Sequence, residues 1–323
     1  MTRLLALIPG GIGDQFLCFP MLESLQQQYP QAKIDVVVEP RAKAAYRVNR
    51  VVQTVLIYNF QGNTGPADWG NLVGAVRERE YDALVTLDQK WFGGILLWLM
   101  AVPKRIGYAG LPNSKFLTHA IAPTSQPYLA ARYHDDLLKP LGVTRECPAL
   151  SINVPRKDIE WTEGEIKRLE LSPEAGYVLI HGGLLSDRES KGLSNTYSVS
   201  SWQALIKGFQ DRQPDLPVVL VQAPNDRPWF QPIVEDCPGL KVSTPEDLGK
   251  TAALIAGAKL MVCTDSNAMH LAVALGTYLF ALFGSTAPER VLPQDERFVA
   301  LRSQTGQVTD IPPIQVLEKI WGK

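Results

Sequence analysis

Cysteine is scarce in this sequence, and what there is forms no pattern. Cys18, Cys147, Cys237 and Cys263 are spread through 323 residues, with no C-x-x-C pair and no histidine at zinc-ligand spacing. That excludes a disulfide framework and a structural zinc, and points to reduced thiols in a cytoplasmic protein. An excess of one charge is also missing. Lys and Arg number 32, Asp and Glu 33, for a net −1, which argues against a strongly basic nucleic-acid binder. Nor is there a long hydrophobic run. The longest, residues 91–102, falls well short of the ~20 residues of a spanning helix and is expected as a buried helix. Its second reading is a contact with the inner membrane surface, because Trp91 and Trp98 stand beside Lys90, Lys104 and Arg105. The opening residues 1–9 hold too short an apolar stretch for a signal peptide.

What is present is ordinary globular material, 46% apolar, of a length that suggests two domains. Short β-rich apolar runs fall at residues 4–9, 34–39, 54–58 and 83–87, then at 177–182, 218–223, 260–264 and 278–283. Helix-like patterns lie between them at 14–29, 67–80, 132–141, 200–212, 245–256 and 267–275. Alternation of this kind means βαβ units and doubly wound parallel sheets. It occurs twice, interrupted at 147–163 by Pro148, Pro155 and charged residues. The expectation is two α/β domains, 1–153 and 154–323, facing a central cleft, with sites at the carboxyl ends of the strands. The first domain carries +3 and the second −4, so anionic partners suit the first.

Four segments follow strands and carry polar chemistry. Gly10-Gly11-Ile12-Gly13-Asp14 combines a flexible turn with a carboxylate able to take a proton from a hydroxyl. Asp14 could equally cap a helix. A dinucleotide reading uses Glu39 at the second strand's end, but Phe16 stands where G-x-G-x-x-G needs glycine. Thr264-Asp265-Ser266-Asn267-Ala268-Met269-His270 opens an Ala-rich helix, a fitting seat for a diphosphate. His181-Gly182-Gly183 leads into a charged loop in which Arg188 or Lys191 could neutralise phosphate. After another strand, Asp226 could accept ribose hydroxyls or cap a helix.

Together these segments resemble glycosyltransferase family 9, the ADP-heptose:lipopolysaccharide heptosyltransferases, over almost the whole length. Gly13-Asp14 through Tyr29-Pro30, Arg105-Ile106-Gly107-Tyr108, Arg132-Tyr133-His134-Asp135-Asp136 and the stretch from Thr264 to Leu271 carry the likeness, continued by Phe283-Gly284-Ser285-Thr286-Ala287-Pro288. Asn267 stands in the place of a glycine, the loop after His181 is longer, and Tyr197 takes the place of a tryptophan. The resemblance implies a GT-B fold with an acceptor domain followed by a nucleotide-sugar domain. It also implies a last helix, about 311–321, packing back on the first domain. The reaction implied is inverting transfer of heptose or a related sugar from an ADP-sugar to a hydroxyl of an anionic, lipid-linked glycan, without metal or cofactor. Asp14 would be the base. Gly13, His181, Arg188 or Lys191, Asp226, Asp265, Ser266, Asn267, Ala268 and His270 would hold the donor, and Lys90, Lys104, Arg105 and Lys115 the acceptor. The alternatives are an epimerase, a nucleotide-dependent dehydrogenase, or a silent sugar-nucleotide-binding protein.

Overall fold

A computed structural model describes residues 1–62, 64–172, 174–183, 196–223 and 226–322. The chain forms two compact units, Met1–Asn153 and Val154–Lys323. The first holds β1 (Arg3–Ile8), β2 (Lys33–Val38), β3 (Val52–Ile57), β4 (Ala83–Thr86), β5 (Lys104–Tyr108) and β6 (His119–Ile121), in the order β3-β2-β1-β4-β5-β6. The second holds β7 (Val178–His181), β8 (Val218–Val221), β9 (Lys241–Ser243), β10 (Leu260–Thr264), β11 (Leu279–Phe283) and β12 (Phe298–Arg302). Read from β9, its order is β9-β8-β7-β10-β11-β12, the same topology. Every pairing is parallel. This is a GT-B chain, built from two Rossmann-like sheets.

The central strands are the apolar runs of the sequence. β1, β4, β7 and β8 are buried almost end to end, because helices cover both faces of such a sheet. Leu5, Leu7, Val37, Leu84 and Leu97 anchor the first core. Val178, Ile180, Trp202, Phe209 and Val262 anchor the second. Asp35 breaks the apolar pattern of β2, but it is buried as a partner: Tyr81 donates its hydroxyl to Asp35 Oδ2 at 2.6 Å. Strands β5, β6, β9 and β12 had no counterpart among the expected runs. They lie towards the sheet edges, β6 and β9 have three residues each, and β5 opens on Lys104-Arg105.

The chain leaves the first unit through an extended stretch, and the helix Arg156–Arg168 starts directly after Pro155. Its proline start and high charge disguise it as a linker. The terminal helix Pro313–Ile320 packs on the second core. Val316 is buried in the second core, Leu317 lies against Gly208, and Trp321 meets Phe209 at 5.3 Å and the Arg212 guanidinium at 4.5 Å. The apolar stripe of this helix matches the helix Val199–Arg212 beside it. Among the described residues, no helix is long and apolar enough to cross a membrane.

Candidate functional site

In each sheet the strand order turns at one place, between β1 and β4 in the first unit and between β7 and β10 in the second. Loops leave such a switch point in opposite directions and open a crevice at the strands' carboxyl ends. The residues after these four strands are therefore the candidates.

After β1 the chain turns at Gly10, with φ at +107°, where only glycine is comfortable. A Cβ there would also sit 2.3 Å from Asp14 Oδ2. Gly11 caps the helix Ile12–Gln28 and donates its N–H to Asp14 Oδ2 at 2.7 Å. Asp14 is thus the third residue of the helix, closing a capping box, and it is exposed. Both sequence readings meet here. The bond that caps the helix also fixes a carboxylate at the mouth of the crevice. It puts a negative charge where a dinucleotide's phosphates would lie, which counts against that reading. Beneath it Gln15 donates to the Ile8 carbonyl at 3.1 Å and accepts from Tyr46 at 2.7 Å, locking the first turn to β1.

Across the switch point, Asp88 follows β4 and was missed by sequence reasoning. Burial pushes its carboxyl up, against the pull of the Lys90 and Gln89 amides. Gly93 makes room for it, since a Cβ there would fall 1.6 Å from Asp88 Oδ2. The available signal was an acid directly after a strand, followed by Gln89-Lys90. Glu39, after β2, is also buried and pushed up by burial, and it accepts the Phe60 and Gln61 amides. Lys90 donates its ammonium to the Phe60 carbonyl at 2.7 Å. The ends of β2, β3 and β4 are thereby tied together around a pocket of about 140 Å3 lined by Tyr58, Phe60, Asp88, Lys90 and Phe92.

The four expected acceptor cations do not form one cluster. Lys104 is level with Ala83 at the start of β4, whereas Lys90 follows that strand's far end. Arg105 is committed to backbone, donating Nε to the Phe116 carbonyl at 2.8 Å and Nη1 to that of Val102 at 2.6 Å. Lys115 lies on the same turn as Phe116, at the amino edge. A strand separates the two groups because sequence proximity does not show which end of a sheet a residue reaches.

In the second unit, His181 ends β7 directly opposite Cys263 of β10. It is buried, its Nδ1 accepts the Gly183 N–H at 3.3 Å, and burial pushes its imidazole down to about 4. It is neutral at pH 7 and brings no positive charge to a phosphate. The unfolded ring takes a proton below about pH 6.5, the folded one only near 4, so the stability it carries is complete above pH 6.5 and lost as pH falls towards 4. The total is roughly 3 kcal/mol. Between pH 7.5 and 5.5 the wild-type protein should lose about 1 kcal/mol more unfolding free energy than His181→Asn. Urea titrations giving equal losses would contradict the neutral, buried ring.

After β10, Asp265 is buried and accepts the Thr286 hydroxyl at 2.8 Å, joining the ends of β10 and β11. Ser266 takes the N-cap of the helix Asn267–Leu275 without capping through its own hydroxyl. Asn267 is the first helical residue and Ala268 the second, with buried His270 one turn in. Asn267 is not among the residues with positive φ, so the backbone accepts asparagine where the family pattern has glycine. Asp226 is buried and accepts the Ala223 N–H at 3.2 Å, holding the loop after β8. Tyr197 is a core residue, donating its hydroxyl to the Ile311 carbonyl at 2.7 Å. Arg188 and Lys191 lie outside the described residues. Gly13 is in the first unit, in the opening turn beside Asp14. Among the described residues no group of three His, Cys, Asp or Glu side chains is placed to hold a metal ion.

Comparison with known proteins supplies the family. The model of glycosyltransferase family 9 (heptosyltransferase) matches residues 69–319. Lipopolysaccharide heptosyltransferase 2 of Escherichia coli (strain K12) is 23% identical over 348 residues, covering 98% of this chain and 97% of that protein. Photosynthetic NDH subunit of subcomplex B 1, from the chloroplast of Arabidopsis thaliana, is 24% identical over 336 residues, covering 96% of this chain and 71% of that one. Among solved structures, E. coli heptosyltransferase WaaC with ADP shares the fold at a TM-score of 0.77 and 19% identity, over 99% of both chains.

Proposed function

The chain belongs to glycosyltransferase family 9, and from that premise we propose that it transfers heptose, or a related sugar, from an ADP-sugar to a hydroxyl of a lipopolysaccharide-type glycan. The observation that carries this reading is Asp14, an exposed carboxylate held by the Gly11 amide at the first unit's switch point. A sugar hydroxyl is a poor nucleophile until a base accepts its proton. In the proposed step the acceptor oxygen bonds to the donor's anomeric carbon from the face opposite the diphosphate. The bond from that carbon to the phosphate oxygen breaks, ADP leaves with the electron pair, and the hydroxyl proton passes to Asp14. Inversion follows from this single displacement. The start of the helix Asn267–Leu275, with Asp265 fixing the loop before it, would seat the diphosphate, since helix amides and dipole favour negative charge. The ADP bound to E. coli WaaC supports an adenine nucleotide. The work would be done at the cytoplasmic membrane face, where lipid-linked acceptors are found.

Family membership sets aside the dehydrogenase and epimerase alternatives. The silent binding protein stays as a second reading, because a relative similar over 96% of this chain is named as a subunit of a larger assembly. One experiment separates the two. ADP or ADP-heptose at 100-fold over its Kd should raise stability by about 2.7 kcal/mol, read as a melting shift, and Asp265→Ala should reduce that shift. Consumption of ADP-heptose with an acceptor extract supports the transferase. A shift without consumption supports the silent protein, and no shift with any nucleoside diphosphate removes both.

A further inference from the structure

The apolar helix Trp91–Met100 is only half a core element. Leu96, Leu97 and Met100 face inward, but Trp91 and Trp98 are 62% and 63% exposed. With the partly exposed Ile95 they form one stripe, at positions i, i+4 and i+7 of the same face. The helix holds no charged residue. Tyr278, just before β11, and Ile314, on the helix Pro313–Ile320, are each exposed singly.

Cations bracket this stripe. Lys90 occupies the N-cap. At the other end Arg77 donates Nε to the Leu99 carbonyl at 2.7 Å, and exposed Lys104 opens the strand that follows. Exposed Lys115 lies on the turn whose Phe116 ring packs against Gly94 in mid-helix. Glu78 and Glu80 adjoin the Arg77 end and are offset there by Arg77 and Arg79. Three of the four cations expected for the acceptor, Lys90, Lys104 and Lys115, stand around this helix.

We propose that the Trp91–Ile95–Trp98 face is a docking surface for a bilayer containing anionic lipid, on which the helix lies in the plane of the interface. Tryptophan is the side chain best suited to that boundary, with an apolar ring and an N–H for the wet side. Lysine and arginine at the rim meet anionic headgroups while their stems lie along the apolar surface. Such a helix is held by apolar burial and electrostatics together, without spanning the membrane. The proposal does not rest on the transferase reading, since docking needs neither donor nor acceptor.

The test is co-sedimentation of the full chain with sucrose-loaded vesicles of phosphatidylethanolamine and phosphatidylglycerol, with phosphatidylcholine vesicles in parallel. The wild-type protein is expected to pellet with the anionic vesicles and to bind phosphatidylcholine more weakly, and raised salt should weaken anionic binding. Trp91→Ser/Trp98→Ser should lose at least about tenfold in partitioning, with an unchanged melting temperature because both rings are exposed. Lys104→Gln and Lys115→Gln should each lose about fivefold. Brominated lipid should quench wild-type tryptophan fluorescence more than that of the double variant. Equal partitioning of wild type and double variant overturns the proposal. So does absence of vesicle binding, whether the protein is a monomer or a dimer that the double variant abolishes, since that face would then serve a protein partner or a second copy.

Discussion

Asp14→Asn should keep the fold and nucleotide binding and lose turnover by about 10²–10⁴-fold, the usual worth of general-base catalysis. The amide oxygen of asparagine can accept the same Gly11 N–H that Asp14 Oδ2 accepts at 2.7 Å, so the capping box survives. What disappears is the charge and the ability to hold the acceptor's proton. A residue that only capped its helix would tolerate the change almost without loss, because Asn and Asp cap comparably. Turnover above a tenth of wild type, in a single-time-point assay of ADP release, would remove Asp14 from the chemistry. Asp88→Asn belongs beside it. Asp88 follows β4, the strand paired with β1 at the switch point, and its carboxyl is pushed up by burial, so a loss confined to that variant would move the base to β4.

The largest effect on stability is expected from Trp202→Ala, at about 3–5 kcal/mol. Trp202 is fully buried, its ring meets Tyr197 edge-on at 5.1 Å, and the space over Gly182 is closed by its indole and by Phe230. The variant opens a cavity directly beneath the turn that follows His181. A domain of this size loses about 2–4 °C per kcal/mol, so its melting should fall by roughly 6–20 °C. Trp202→Phe should cost far less. The indole N–H has no hydrogen-bond partner among the described residues, so removing it breaks no bond and leaves a smaller void. Equal destabilisation by the two variants would mean that the N–H, and not the ring, is what the site uses.

Periodicity made the central strands and most helices readable because their side chains face a core on both sides. Runs such as Leu4-Leu5-Ala6-Leu7-Ile8 leave little else to form. Edge strands such as β6 and β9 resisted because each has one neighbour and is only three residues long. The candidate site was legible where a carboxylate follows a strand end next to glycine, as at Asp14. Asp88 was missed because what makes it a candidate is topological: β4 must first pair with β1, which no local pattern announces. The surface lysines were misjudged for the converse reason: 90 and 104 are close in sequence, yet a helix carries the chain from one end of the sheet to the other between them.

The pairing of β1 with β4 also sets a clock. Leu4 meets Ala83 and Val178 meets Leu260, partners about 80 residues apart that a ribosome delivers roughly 4–16 s after one another. In that interval one edge of each switch strand is bare, apolar backbone ready to pair with another chain. The turn at Gly10 is made among the first residues but gains its neighbour on β4 only late. Slow translation or crowded expression should therefore expose aggregation-prone intermediates at these strands, even though in the finished sheets each switch strand is paired on both sides.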